Sequence, residues 1–196
     1  MHEVPDPLRL ELAAVAARLV ADGGHDYASA KKKALRQVLG DNPAPKRSVP
    51  DNDEIDAALR EHLELFDPGH VPRVVQRRRT AAALMQRLQA FHPYLTGAVW
   101  KGIVTEHAPI HLQLFHDNPK DVEIQLLNDG VDFDVSTVPH FRGGAEVEAI
   151  AFYVDDAPVL LSLYEHDDLR GALRRGAAGP ERGDRQALLE RLAEAA

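Results

Sequence analysis

The 196-residue chain contains no cysteine. That absence excludes a disulfide framework, a thiolate zinc site, an iron–sulfur cluster and a cysteine nucleophile. Aromatic residues are scarce as well, at 6% with a single Trp, and no helix-turn-helix, zinc finger or ribonucleoprotein aromatic pair is recognisable. No apolar run reaches the roughly 18 residues of a membrane span. The opening Met1-His2-Glu3-Val4-Pro5-Asp6 lacks the basic and apolar regions of a secretory signal. These absences lead to the expectation of a cytoplasmic protein that makes no membrane contact. Thr105, Ser136 and Ser162 lack the Gly-x-Ser-x-Gly setting of a hydrolase nucleophile.

What is present is ordinary for a globular chain: 44% apolar and 28% charged residues, enough for one well-buried domain or two small ones. The net charge of −8 conceals segregation of sign. Residues 25–49 carry six Lys/Arg against two acids, and residues 70–79 add Arg73, Arg77, Arg78 and Arg79 with no acid. Residues 50–69 hold seven acids and Arg60, and residues 116–168 hold thirteen acids against Lys120 and Arg142. A basic face for phosphates and a pairing of opposite-sign helices within one fold both fit this pattern.

Residues 1–92 read as a helical region. Leu8, Leu12, Val15, Ala16, Leu19 and Val20 form a helical stripe stopped by Gly23-Gly24. Asp26 caps a second helix with Tyr27, Ala30, Ala34, Leu35 and Val38 inward and Lys32, Lys33 and Arg36 outward. Asp51 and Glu54 suggest a capping box for a third helix, and a fourth is expected from about Val71 to Phe91. Residues 93–175 change period. Strands are expected at Tyr94–Val99, Pro109–Phe115, Val131–Thr137, Ala145–Val154 and Pro158–Tyr164, the last three antiparallel. Asn118-Pro119 starts a helix through Leu127, although Val122–Leu126 also alternates. A short helix at Asp167–Arg174 and, within 176–196, a final helix at Arg185–Ala195 complete the α+β reading.

The segment Gly97-Ala98-Val99-Trp100-Lys101-Gly102, with Ala108-Pro109-Ile110-His111-Leu112 behind it, resembles the core of the nucleotidyltransferase superfamily, the polymerase-beta-like fold. The resemblance covers Tyr94 to Tyr164 and implies a mixed sheet with flanking helices. In that family glycines let the backbone approach a triphosphate and two carboxylates on alternate strand positions hold magnesium. Here Gly97 and Gly102 take the glycine places, and Pro109 and His111 stand where the carboxylates would be. Pro109 has no ligand atom and an imidazole is a poor ligand for a hard cation, so two-metal catalysis lacks its first ligands. Glu146 or Glu148 matches a third carboxylate, and Lys101 is placed to contact a phosphate.

Asp26–Ala34 and Glu106–Leu112 also resemble an uncharacterised family of short bacterial proteins sometimes labelled as a muramate–alanine ligase. That label implies a Gly-x-Gly-Lys-Thr/Ser phosphate loop, which this chain lacks, so no ligase activity is carried over. His107 and His111 are four apart, but Pro109 between them excludes a helical metal pair.

The resulting expectation is a catalytically degenerate nucleotidyltransferase-like protein that binds nucleotide or RNA, with no cofactor or metal named. Its nucleic-acid contacts would come from Lys32, Lys33, Arg36, Arg77 and Arg78. Two alternatives stay open. One is an active transferase using His111, Glu146 and Glu148 with a non-standard metal; the other is a helical module that docks an acidic protein.

Overall fold

A computed structural model describes residues 6–173 and 179–194. The described residues form eight α-helices and a six-stranded mixed sheet, an α+β arrangement with helices at the N-terminal end. None of the described helices is long and apolar enough to cross a membrane. The chain divides into two compact units, one of residues 1–71 with 105–107 and one of 72–104 with 108–196. The division falls at Val71/Pro72, so most of the fourth helix belongs with the sheet and not with the helices before it.

The first unit is built on α1 (Pro7–Gly23), α2 (Tyr27–Leu39) and α3 (Asn52–Phe66). Each start is set by a side chain that accepts a backbone N–H of the first turn: Asp6 from Leu8, Asp26 from Ser29, and Asp51 from Glu54. Asp51 and Glu54 complete the capping box. Ala13, Ala16 and Ala17 let α1 pack closely, and with Leu12, Val15 and Val20 they are buried, as are Ala30 and Ala34 of α2 and Ile55, Leu59 and Leu63 of α3. Arg9 joins the beginnings of α1 and α3 through Glu54, at 2.5 Å, and Asp51, at 3.3 Å. The Tyr27 phenol donates to the buried Asp56 carboxylate. The segment Thr105–His107 also belongs here, with the His107 ring lying against Gly24.

In the second unit, α4 (His70–Arg87) is followed by a 3-10 turn at Gln89–Phe91, so the expected helix ends earlier than its apolar pattern. β1 is Tyr94–Thr96 and gives way at Gly97 to α5 (Gly97–Lys101), where a longer strand was expected. β2 (Ile110–Phe115) and α6 (Pro119–Asn128) match expectation. β3 is Asp134–Pro139, three residues later than its β-branched residues suggest. The reason is a Schellman cap: Val131 N–H bonds Leu126 O and Gly130 N–H bonds Leu127 O, with Gly130 at φ +70°. Val131 therefore closes α6 instead of starting a strand. β4 (Glu146–Val154) and β5 (Ala157–Tyr164) follow, then α7 (Leu169–Ala172), β6 (Arg182–Gly183) and α8 (Arg185–Glu194). Arg174 and Ala195, the expected ends of the last two helices, lie outside the described residues.

The strand order is β3-β4-β5-β2-β1-β6, with β2 parallel to β5 and all other pairs antiparallel. Alternation divides the sheet into two faces. Ile110, Leu112 and Leu114 of β2, Val159, Leu161 and Leu163 of β5, and Ile150 and Phe152 of β4 join the main core with α4, α6 and Leu188 of α8. The opposite face carries Tyr94, His111, Gln113, Phe115, Ser162 and Tyr164, with Phe115 and Tyr164 packed beside Phe141, Leu169 and Ala172.

Candidate functional site

Gly97 sits at the turn from β1 into α5 with φ +70°, a conformation that favours glycine. A Cβ there would lie 3.8 Å from His111 Cβ, so the Gly97 backbone abuts β2 at His111. His111 Nε2 is 2.8 Å from Ser162 Oγ on the adjacent strand β5. Ser162 in turn interacts with the Tyr164 phenol, as does the side chain of Gln113. Ser162 and Gln113 are buried, at 0% and 3% exposure. Ser162 is thus fixed inside the sheet, where its hydroxyl holds His111.

Arg182 enters this face from β6, opposite Thr96. Its side chain is 8% exposed, and its guanidinium lies 4.9 Å from the Phe141 ring centroid. Arg142 also lies against Phe141, 5.3 Å from its ring centroid, and pairs with Asp168, which meets His140 Nε2 at 3.2 Å. Burial, and secondarily the Arg182 charge, lowers the His111 pKa to about 4. The imidazole is neutral at pH 7. An unfolded chain protonates His111 near its ordinary value of 6.5, whereas the folded chain resists until about 4. The stability tied to neutral His111 is therefore full above pH 6.5 and is lost as pH falls towards 4. Urea unfolding at pH 7 and pH 5 is expected to show the wild type losing up to about 2 kcal/mol more than His111→Gln. Identical pH dependence in the two proteins would refute this.

The other residues expected at the site do not join His111. Glu146 and Glu148 are in phase with Ile150 and Phe152 along β4 and so point to the opposite, core-covered side of the sheet. There Glu146 accepts from Thr137 Oγ1 at 2.9 Å, and Glu148 faces Glu123 and Lys120 of α6. Burial raises the Glu148 carboxyl and its hydrogen bond with Glu123 adds to this, while Lys120 holds Glu123 below the usual range. The strands beside β2 are β5 and β1, not β4. A carboxylate partnering residue 111 would have to occupy the place of Leu160, Ser162 or Thr96. Gly102 closes the other end of α5 at φ +74°, against Arg78 and Val74, and Lys101 is exposed next to it. The two glycines therefore stand at opposite ends of α5.

The basic residues also divide. Lys32, Lys33 and Arg36 are exposed on α2 of the first unit, with Lys33 Nζ 2.9 Å from His25 Nε2. Arg78 is buried in the second unit and donates to Val99 O and Trp100 O at the end of α5. Arg77 is half-buried near Asp156 and Arg73. Arg78 thus caps the C-terminal end of α5 from a buried position. His107 belongs to the first unit and His111 to the second. Sequence reasoning missed Arg182 and Tyr164. Arg182 lies in a two-residue strand within Gly179-Pro180-Glu181-Arg182-Gly183 and leaves no periodic signal.

No protein-family model matches the chain, and neither the curated proteins nor the solved structures give a match.

Proposed function

We propose that the second unit is a nucleotidyltransferase-like domain that binds nucleotide or RNA on its His111 face without two-metal catalysis. One observation carries this reading: the Gly97 backbone abuts a neutral His111 held by Ser162, and among the described residues β1, β2, β4, β5 and β6 place no carboxylate on that face, its one strand carboxylate being Asp134 on β3 at the far edge of the sheet. Glu146 and Glu148 are on the other side of the sheet, so an active transferase built from them and His111 has no common site. A hard divalent ion prefers several anionic oxygens, and this face offers an imidazole, a hydroxyl and an amide.

Calorimetric titration with ATP, GTP and bulk transfer RNA, each with and without magnesium, tests the reading. Binding that is indifferent to magnesium is expected. No heat and no mobility shift for any of the three removes the proposal, and nucleotide turnover abolished by Glu148→Ala replaces it with the active enzyme. A second reading, docking of an acidic protein by α2, is favoured by the exposure of Lys32, Lys33 and Arg36.

A further inference from the structure

Two buried side chains on the His111 face hold polar atoms that meet no complement. Among the described residues, the carboxylate contact of Arg182 is Glu181, 3.3 Å from Nη2 and 63% exposed, while Arg182 Nε and Nη1 are buried with no acceptor. Gln113 Oε1 is likewise buried with no donor. Buried donors and acceptors normally find partners, and a charged one left alone is the most costly case. The two side chains belong to one constellation: Arg182 acts electrostatically on both His111 and Tyr164, and Gln113 hydrogen-bonds Tyr164.

We propose that Arg182 and Gln113 are the recognition pair of this face, Arg182 taking a phosphate oxygen and Gln113 Oε1 accepting from a hydroxyl or amino group of the same nucleotide. The inference rests on the nucleotide reading above and narrows it. Among the described residues Arg182 is the one buried cation on the face, because Arg142 is half exposed and engaged by Asp168. His111, being neutral, adds no second charge. A single guanidinium matches a phosphate bearing one or two charges better than a triphosphate, whose charge calls for several cations or a metal. The ligand class is therefore a nucleoside monophosphate unit, free or within an RNA backbone, whose ribose hydroxyl or base amino group supplies the donor.

Calorimetry with adenosine monophosphate, ATP, adenosine and a short oligoriboadenylate, on wild type, Arg182→Gln and Arg182→Lys, tests the pair. The monophosphate or the oligomer is expected to bind wild type at least as tightly as ATP, and adenosine about tenfold or more weakly. Arg182→Gln should weaken monophosphate binding by about 10- to 100-fold, with partial recovery in Arg182→Lys. Binding of the oligomer alone places the unit within RNA, and binding of the monophosphate alone makes it a free nucleotide. Either supports the proposal provided that Arg182→Gln weakens it to that extent. Undiminished binding to Arg182→Gln, or ATP bound without monophosphate or oligomer, overturns the pair and leaves the nucleotide reading standing. No binding of any nucleotide to wild type ends both. Should Arg182→Gln fail to fold, the Arg182 Nε–H resonance of wild type, followed by nuclear magnetic resonance during titration with monophosphate and oligomer, decides: a saturable shift supports the pair, and no shift refutes it.

Discussion

Arg78→Glu is expected to destabilise the second unit by about 3–5 kcal/mol, the scale of an uncompensated buried charge. The arginine is 9% exposed, and its Nε and Nη2 donate to Val99 O and Trp100 O at 3.1 and 3.0 Å. These carbonyls belong to the negative end of α5. A glutamate can only accept, so it would place anionic oxygens against acceptors and leave them without donors. Arg191 also donates to Trp100 O, at 3.2 Å, and its guanidinium lies 3.7 Å from the Trp100 ring centroid. Its attraction to the new carboxylate offsets part of the loss. Lys32→Glu, on an exposed position of α2, is expected to change stability by no more than about 0.5 kcal/mol. Urea unfolding followed by fluorescence of the single Trp measures the first change directly. An Arg78→Glu midpoint equal to that of wild type would contradict the capping role. Loss of nucleic-acid binding in Arg78→Glu would accordingly report unfolding, whereas the same loss in Lys32→Glu would report a contact.

Gly183→Ala is the second large effect. Gly183 pairs with Leu95 in the sheet, and a Cβ added to it would lie 2.2 Å from Trp100 Cη2 and 2.4 Å from Cζ3. The indole cannot simply retreat. Its Nε1 donates to Pro180 O at 2.8 Å, Arg191 covers its face, and the side chain is 3% exposed. Either β6 leaves the sheet edge or Trp100 leaves the core, and overpacking of this kind costs about 3 kcal/mol or more. Gly144→Ala provides the control. Gly144 has φ +88° but nothing within 4 Å of an added methyl, so only backbone strain of about 1 kcal/mol applies. A thermal midpoint for Gly183→Ala no lower than that of Gly144→Ala would rule out the packing argument.

Local signals were legible where the physics is local. Asp26, the Asp51–Glu54 box and Asn118-Pro119 all cap helices as their side-chain chemistry dictates. The α4 stripe of Val74, Ala81, Leu84, Met85, Leu88 and Phe91 is buried throughout. Arg78 was expected as a nucleic-acid contact, although its place four residues after Val74 and three before Ala81 puts it on the inward side of that stripe. What was not legible depends on long-range register. Alternation puts Glu146 and Glu148 on one side of β4, but whether that side faces His111 depends on which strand lies between and how it is aligned. The parallel β2–β5 pairing, bridged by α6 and a hairpin, is invisible to short-range pattern. So is a two-residue strand at the sheet edge, and with it the arginine that enters the site.

The passage of Thr105–His107 through the first unit means that the polypeptide crosses the division three times, not once. No single cleavage can then liberate both halves intact. A fragment ending near residue 71 would lose the imidazole that rests on Gly24, and a fragment beginning there would carry a tripeptide stripped of its neighbours. Dissection of this chain by truncation would accordingly damage both products, and substitution is the sounder way to assign a role to either.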